Sequence, residues 1–255
     1  MATAGSGLHR DTGGREACTG GPDRLPFRAM TGVGLAEELL LLGYDDESGK
    51  ATGSRIALDL GMAAAVLVDL ALAGRVAFSD GSIVITDPTP TGDVIADDVL
   101  AKIANDTPHT PASWLQRLRH GLRDRILGDL CDRGVITDVD ETRLDHIHVH
   151  RYPVLDPSVE AEIRARLVDA LTGERVPDER TAALAAVMAA IRVEPSLGLT
   201  GPAAEDARNR LLEIARGAGF ADGGVDLEES TIRPSVALVI AALSRAIETA
   251  LGIRA

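Results

Sequence analysis

Apolar positions in this chain gather into runs with helical spacing, interrupted by short alternating stretches and by Gly- and Pro-rich breaks. Residues 35–42 (LAEELLLL) predict a short, strongly apolar helix, and 43–53 (GYDDESGKATG) a turn-rich loop. Residues 56–73 predict a long buried helix, with Gly74 as its C-terminal cap. Two β-type runs, 76–78 and 82–86, flank Ser79-Asp80-Gly81, which is hairpin-turn chemistry. Thr91 or Asp93 is set to cap a helix over 94–104, and Pro108 and Pro111 separate it from the next, over 112–133. On that helix Trp114, Leu118, Leu122, Ile126 and Leu130 recur every fourth residue, a stripe that predicts burial. Residues 135–152 predict a second hairpin, and helices follow over 157–171, 178–193, 203–217 and 234–251, each bounded by Pro or Gly.

The pattern carries an internal echo. L-x-D-L-x-x-x-G occurs as Leu67, Asp69, Leu70, Gly74 and again as Leu127, Asp129, Leu130, Gly134, each time ahead of a β-type run. Helix-plus-hairpin is therefore the repeated unit, and the fold class is mainly α: a helical domain with two β-hairpins. Residues 1–30, rich in Gly, Thr and charge without a period, read as a disordered tail. Residues 31–255 read as a single domain, with Met30 just before its first organised segment.

With 255 residues there is ample material for a core, and aromatics at 2% leave it to be built from Ala, Val, Leu and Ile. Lysine occurs only at Lys50 and Lys102 beside many arginines, a bias typical of GC-rich bacterial genomes. The formal charge of −13 sets the chain against DNA phosphate and anionic bilayers unless its cations cluster. Cys18 and Cys131 have no CxxC spacing and read as reduced thiols in a cytosol. The most apolar stretches, 56–76 and 236–253, carry Asp59, Asp69, Arg245 and Glu248 within the span, so no membrane crossing is expected. The N-terminus lacks the apolar middle of a signal peptide.

The densest cationic cluster is Arg117-Leu118-Arg119-His120-Gly121-Leu122-Arg123-Asp124-Arg125. At helical spacing Arg119, His120 and Arg123 share a face, and Arg55 on the preceding loop is placed to join them. A guanidinium pair grips phosphate bidentately, and each cation near an anionic surface supplies on the order of 1 kcal/mol. The competing reading pairs these arginines with Asp124, Asp129 and Asp132 on a solvated face.

Other motifs lead less far. His146, His148 and His150 alternate along a strand, a spacing able to bind zinc or nickel, but no further ligand is apparent and an exposed hairpin strand is the simpler reading. No metal and no cofactor is expected. Residues 43–51 superficially suggest a phosphate loop, yet Ala51 stands where Ser or Thr is required and Asp45, Asp46 and Glu47 would face the phosphate. No G-x-S-x-G elbow occurs, and neither cysteine has a nearby histidine in sequence, so no catalytic residue is expected.

The phrases LAEELLLLGYDDESGK, LVDLALAGRV, TPTGDVIADDVL, RDRILGDLCDRGVI and DERTAALAAVM, in that order over roughly residues 34–250, resemble the Golgi phosphoprotein 3 family. The resemblance implies one mainly helical domain with a projecting hairpin, and peripheral membrane binding through phosphatidylinositol 4-phosphate. Eukaryotic members act as adaptors that retain Golgi glycosyltransferases. The family's headgroup pocket combines a tryptophan with three arginines. Aligned back from Gly74, the tryptophan falls at about Ser54 and the first arginine at Ala63; aligned back from Gly134, the others fall at His120 and Arg123, of which Arg123 alone keeps its type. The family hairpin has an apolar tip that serves oligomerisation or membrane contact, which makes 135–152 the expected surface of any homo-oligomer. Here the tip over 138–145 is polar, so insertion into lipid is not expected.

The function expected is therefore that of a non-enzymatic, cytoplasmic, peripheral protein. It would bind an anionic lipid headgroup through Arg123, His120, Arg119 and Arg55. A protein-binding scaffold without a lipid role is the alternative. A winged-helix DNA-binding regulator is disfavoured, because the helix before the first hairpin has no cation after Arg55 and the second wing is acidic, so nucleic acid is not an expected partner.

Overall fold

A computed structural model describes residues 33–45, 50–143, 147–172, 177–198, 201–215 and 232–252. The tail expected over 1–30, together with Cys18 and His146, lies outside the described residues. The described elements run α1 (Leu35–Gly43), β1 (Tyr44–Asp45), β2 (Lys50–Ala51), α2 (Arg55–Leu72), β3 (Val76–Ser79), β4 (Ser82–Ile85), α3 (Val94–Ala104) and α4 (Pro111–Asp132). They continue through β5 (Val139–Arg143), β6 (Ile147–Arg151), α5 (Pro157–Thr172), α6 (Glu179–Ile191), a 3₁₀ turn (Glu194–Leu197), α7 (Pro202–Ala215) and α8 (Pro234–Leu251). The fold is mainly helical, as the pattern predicted. A two-residue ladder, β1 with β2, joins the two expected hairpins inside the loop over 43–53.

α2 is the axis of the core. From Ala57 to Ala71 nearly every side chain is buried, and the helix packs on α1, α3, α4, α6 and α8. A helix apolar all round belongs inside a bundle. Ser54 starts it, its Oγ accepting from the Ala57 amide at 3.3 Å. Close packing also fixes Gly61, where an added Cβ would stand 2.9 Å from Ile191 of α6 and 3.1 Å from Leu39 of α1.

The repeated motif is a repeated helix end. At Gly74 (φ 68°) the Arg75 amide donates to Leu70 O at 2.8 Å and the Gly74 amide to Ala71 O at 3.0 Å. At Gly134 (φ 70°) Val135 donates to Leu130 O at 2.9 Å and Gly134 to Cys131 O at 2.9 Å. Both are six-to-one closures around a left-handed residue, which glycine adopts without strain. Leu67, Leu70, Leu127 and Leu130 are all buried, so the motif's leucines anchor each end in the same core.

The first hairpin pairs Ser79 with Ser82 across Asp80 and Gly81, both at positive φ, and thus closes on a two-residue turn with the strand twist. The second pairs Val139–Arg143 with Ile147–Arg151 and is extended by an Ile136–Val154 bridge.

Two expectations need correction. The stripe Trp114, Leu118, Leu122, Ile126, Leu130 is buried, but α4 is not one continuous helix. His120 (φ −80°, ψ 118°) and Gly121 (φ 75°, ψ −6°) break it into two segments. The second correction concerns α8: by length and composition Pro234–Leu251 is apolar enough to cross a membrane, with mean hydropathy 1.4. Its one arginine and one glutamate were too few to exclude that. In the fold, Val236, Val239, Ile240, Leu243 and Ile247 are buried against α2, α4 and α6.

Candidate functional site

The charged side chains expected to act together come from two helices, α2 and α4. Arg55 opens α2 and is exposed; Asp59, one turn later, lies on the same side of the helix. Across from them, Arg123 Nη1 stands 3.4 Å from Asp59 Oδ1, and Arg123 Nη2 stands 3.7 Å from Asp124 Oδ1. Arg123 and Asp59 side chains are 15% and 21% exposed, so the pair sits at the surface edge, not in the interior. Burial pushes the Asp59 carboxyl up, against the pull of Arg123, Arg55 and Arg119, in that order. Arg123 thus contacts this carboxylate, while Arg55 and Arg119 act on it through space.

Tyr44 of β1 adds a phenol near Arg123, raised in pKa by its burial against the pull of that arginine. Tyr152 lies close enough to feel Tyr44, Asp124 and Asp138, and burial with those charges pushes it up to about 12. Arg119 makes no hydrogen bond or ion pair among the described residues, and its Nε is buried without a partner.

Arg55, Arg119 and Arg123 thus share an environment. His120 does not join them: it is exposed, sits on the break in α4, and is not among the groups acting on Asp59. The shared face inferred from helical spacing has a different origin from the one assumed, because the helix is interrupted between Arg119 and Arg123. The flanking arginines leave the cluster altogether. Arg117 pairs with Asp106 at 2.9 Å and lies 5.9 Å over the Trp114 ring, while Arg125 pairs with Asp98.

Two positions indicated by the family resemblance carry no binding group. Ser54 is the α2 cap, and Ala63 is buried at 0% exposure within the bundle. Asp59 and Tyr44 went unrecognised, although the Arg55–Asp59 spacing of four was a usable signal. On the second hairpin, His150 Nδ1 lies 2.9 Å from Asp138 Oδ1 and the ring stacks on Tyr152. Among the described residues no group of three metal-ligating side chains comes together.

A second charged assembly surrounds the start of α1. Glu37 and Glu38 are buried at 2% and 3% exposure. Glu37 Oε2 accepts from the Gly34 amide at 3.0 Å, closing the helix start, and Arg133 Nη2 stands 2.8 Å from Glu37 Oε1 as an ion pair without hydrogen-bond alignment. Arg166 and Arg180 both reach Glu38. Arg180 also donates to Asp69 Oδ1 at 2.7 Å, and Asp69 Oδ2 takes the Leu35 amide at 2.7 Å. Burial pushes Glu37 up to about 7 and Asp69 up to about 6. A shallow concavity of about 260 Å³ opens here beside Asp69, Asp93 and Arg180, and another of about 470 Å³ lies between Phe78, Pro111 and Leu238. Neither includes the Arg119–Arg123 face.

The described architecture is that of a mainly helical protein with small antiparallel hairpins. The family model of Golgi phosphoprotein 3 (GPP34) matches residues 35–249, and the chain belongs to that family. It is also similar to vacuolar protein sorting-associated protein 74 of Eremothecium gossypii, at 25% identity over 167 residues, which is 56% of this chain and 50% of that protein. The match thus spans about half the length of that relative.

Proposed function

We propose that this chain is a non-enzymatic, cytoplasmic peripheral protein that holds an anionic lipid headgroup, of the phosphatidylinositol 4-phosphate kind, against Arg123, Arg119 and Arg55. Membership of the Golgi phosphoprotein 3 family supports the reading, and one observation carries it: the guanidinium of Arg119, unpaired and with a buried Nε, beside those of Arg123 and Arg55. The terminal nitrogens of Arg119 meet no carboxylate among the described residues, and a phosphoryl oxygen offers the acceptor they lack. Three cations on one side of an acidic molecule also focus field locally where the overall charge is repulsive.

Co-sedimentation with phosphatidylcholine vesicles carrying phosphatidylinositol 4-phosphate tests this. The wild-type chain should pellet with the vesicles, and Arg119→Ala/Arg123→Ala should stay in solution. Equal pelleting of both would remove the proposed site. A stable protein partner recovered while vesicles remain unbound would favour the scaffold reading instead.

A further inference from the structure

Arg123 is the one pocket position at which the family's residue type is kept, yet it is not simply available. Its Nη1 faces Asp59 at 3.4 Å, well beyond the roughly 2.7–2.9 Å of a strong charge-assisted bond. The contact is weak enough to open and polar enough to matter. Asp59 is flanked by Arg55 on its own helix, by Arg119, Arg123 and Asp124 from α4, and by Tyr44 from β1. A phosphate bound to Arg119 and Arg123 would place its oxygens in the field now answered by this carboxylate.

We propose that Asp59 is a built-in competitor of the anion site: its carboxylate holds Arg123, and a headgroup binds only by taking that guanidinium away from it. The proposal rests on the anion-binding reading above and deepens it. A singly charged phosphodiester offers Arg123 little more than Asp59 already supplies, so the exchange is close to neutral. A phosphomonoester carries about −1.5 to −2 at neutral pH and has charge to share with Arg119 and Arg55 as well. Asp59 thus sets a threshold that monoesters pass and diesters do not. Its position one turn after Arg55 makes this a property of the α2 sequence.

The test uses the full chain as wild type, Asp59→Asn, Arg123→Ala, the Asp59→Asn/Arg123→Ala double variant, and Asp132→Asn. The last removes the same charge from an exposed position on α4. Each is titrated with vesicles containing phosphatidylinositol 4-phosphate, with vesicles of matched charge containing phosphatidylglycerol, and with inorganic phosphate alone. Asp59→Asn should bind monoester vesicles about tenfold tighter than wild type and lift diester binding from background into the measurable range. The gain should vanish in the double variant, and Asp132→Asn should behave as wild type. Asp59→Ser supplies a second neutral side chain should Asn perturb the fold, which thermal unfolding by circular dichroism monitors.

Wild-type vesicle binding left unchanged by Asp59→Asn would overturn the competitor role and leave the site standing. An equal gain from Asp132→Asn would overturn it too, by reducing the effect to net charge. Failure of every form to bind vesicles or phosphate would overturn the site and the competitor together. A gain confined to inorganic phosphate would support Asp59 as competitor and assign the site to a soluble phosphate.

Discussion

Arg180 of α6 donates to Asp69 of α2 across 2.7 Å, and the other oxygen of that carboxylate takes the first amide of α1, Leu35, at 2.7 Å. One side chain thereby ties three helices. Its counterpart in the second copy of the motif, Asp129, is ion-paired instead with Arg133, the residue that caps its own helix, at 3.1 Å. Arg133 then reaches Glu37 of α1, so both motif aspartates serve the same helix start, one directly and one through an arginine.

Identical sequence context therefore predicts unequal energetics. Asp69→Ala leaves the Leu35 amide without its acceptor and Arg180 with only Glu38 and the Val33 carbonyl, and should destabilise by about 2 kcal/mol. Asp129→Ala removes an intrahelical pair whose arginine keeps Glu37, and should cost about 1 kcal/mol. Urea unfolding measures both. Equal losses would show that Asp69 contributes no more than its own helix.

Stability should fall as pH rises through the range set by the buried acids. Folded Glu37, raised from 4.5 to about 7, holds a proton that the unfolded chain has already released between those values; Asp69, raised from 3.8 to about 6, does the same lower down. Both contribute stability that is complete below the unfolded pKa and lost on passing the folded one. Asp98, Asp178 and Glu179, lowered chiefly by arginine partners or amide hydrogen bonds, act in the opposite direction as pH falls. Glu37→Gln isolates the first effect. It keeps a neutral group at the capping position, so it should match wild type near about pH 4, below the unfolded pKa. Near about pH 8 it should be more stable by about 3 kcal/mol at most. A stability difference independent of pH would refute the assignment.

A polar clamp at the far end of α2 gives a smaller prediction. Arg233 holds Glu179 through both carboxylate oxygens and donates to Ala71 O and Leu72 O, the last carbonyls of the helix. Cations there answer both unpaired acceptors and the negative helix end. Since the Arg233 side chain is 42% exposed, Arg233→Ala should lower stability by only about 1 kcal/mol, and less in high salt. A loss that salt leaves untouched would point to packing instead.

The helices and hairpins were legible because their signals are local. Spacing marked the Trp114–Leu130 stripe, and the glycines of L-x-D-L-x-x-x-G marked two helix ends that close by the same backbone bonds. Asp93 and Thr110 cap as their types suggest. The buried Glu37 and Glu38 were not legible, since Arg133, Arg166 and Arg180 arrive from α4, α5 and α6. At the site, the arginine types were readable and their partner was not: Asp59 is an unremarkable residue in an apolar helix until α4 is laid against it. Ala63 illustrates the converse, because the expected burial of the helix over 56–73 is met there at 0% exposure.

The break in α4 offers the last test, because the helical pattern concealed it. Gly121 at φ 75° has nothing within 4 Å of where a Cβ would stand, so a side chain there meets no steric neighbour and any penalty is in the backbone. Gly121→Ala should therefore destabilise by about 1 kcal/mol, while Gly121→Asn, which tolerates the left-handed region better, should lose less. The break also lies between Arg119 and Arg123. An alanine that draws the segment toward regular helix would rotate one arginine relative to the other and reduce vesicle binding in Gly121→Ala more than in Gly121→Asn. Thermal unfolding and co-sedimentation of the same two variants separate these effects. Loss of stability with binding intact in both would mean that the two arginines reach the headgroup without the break.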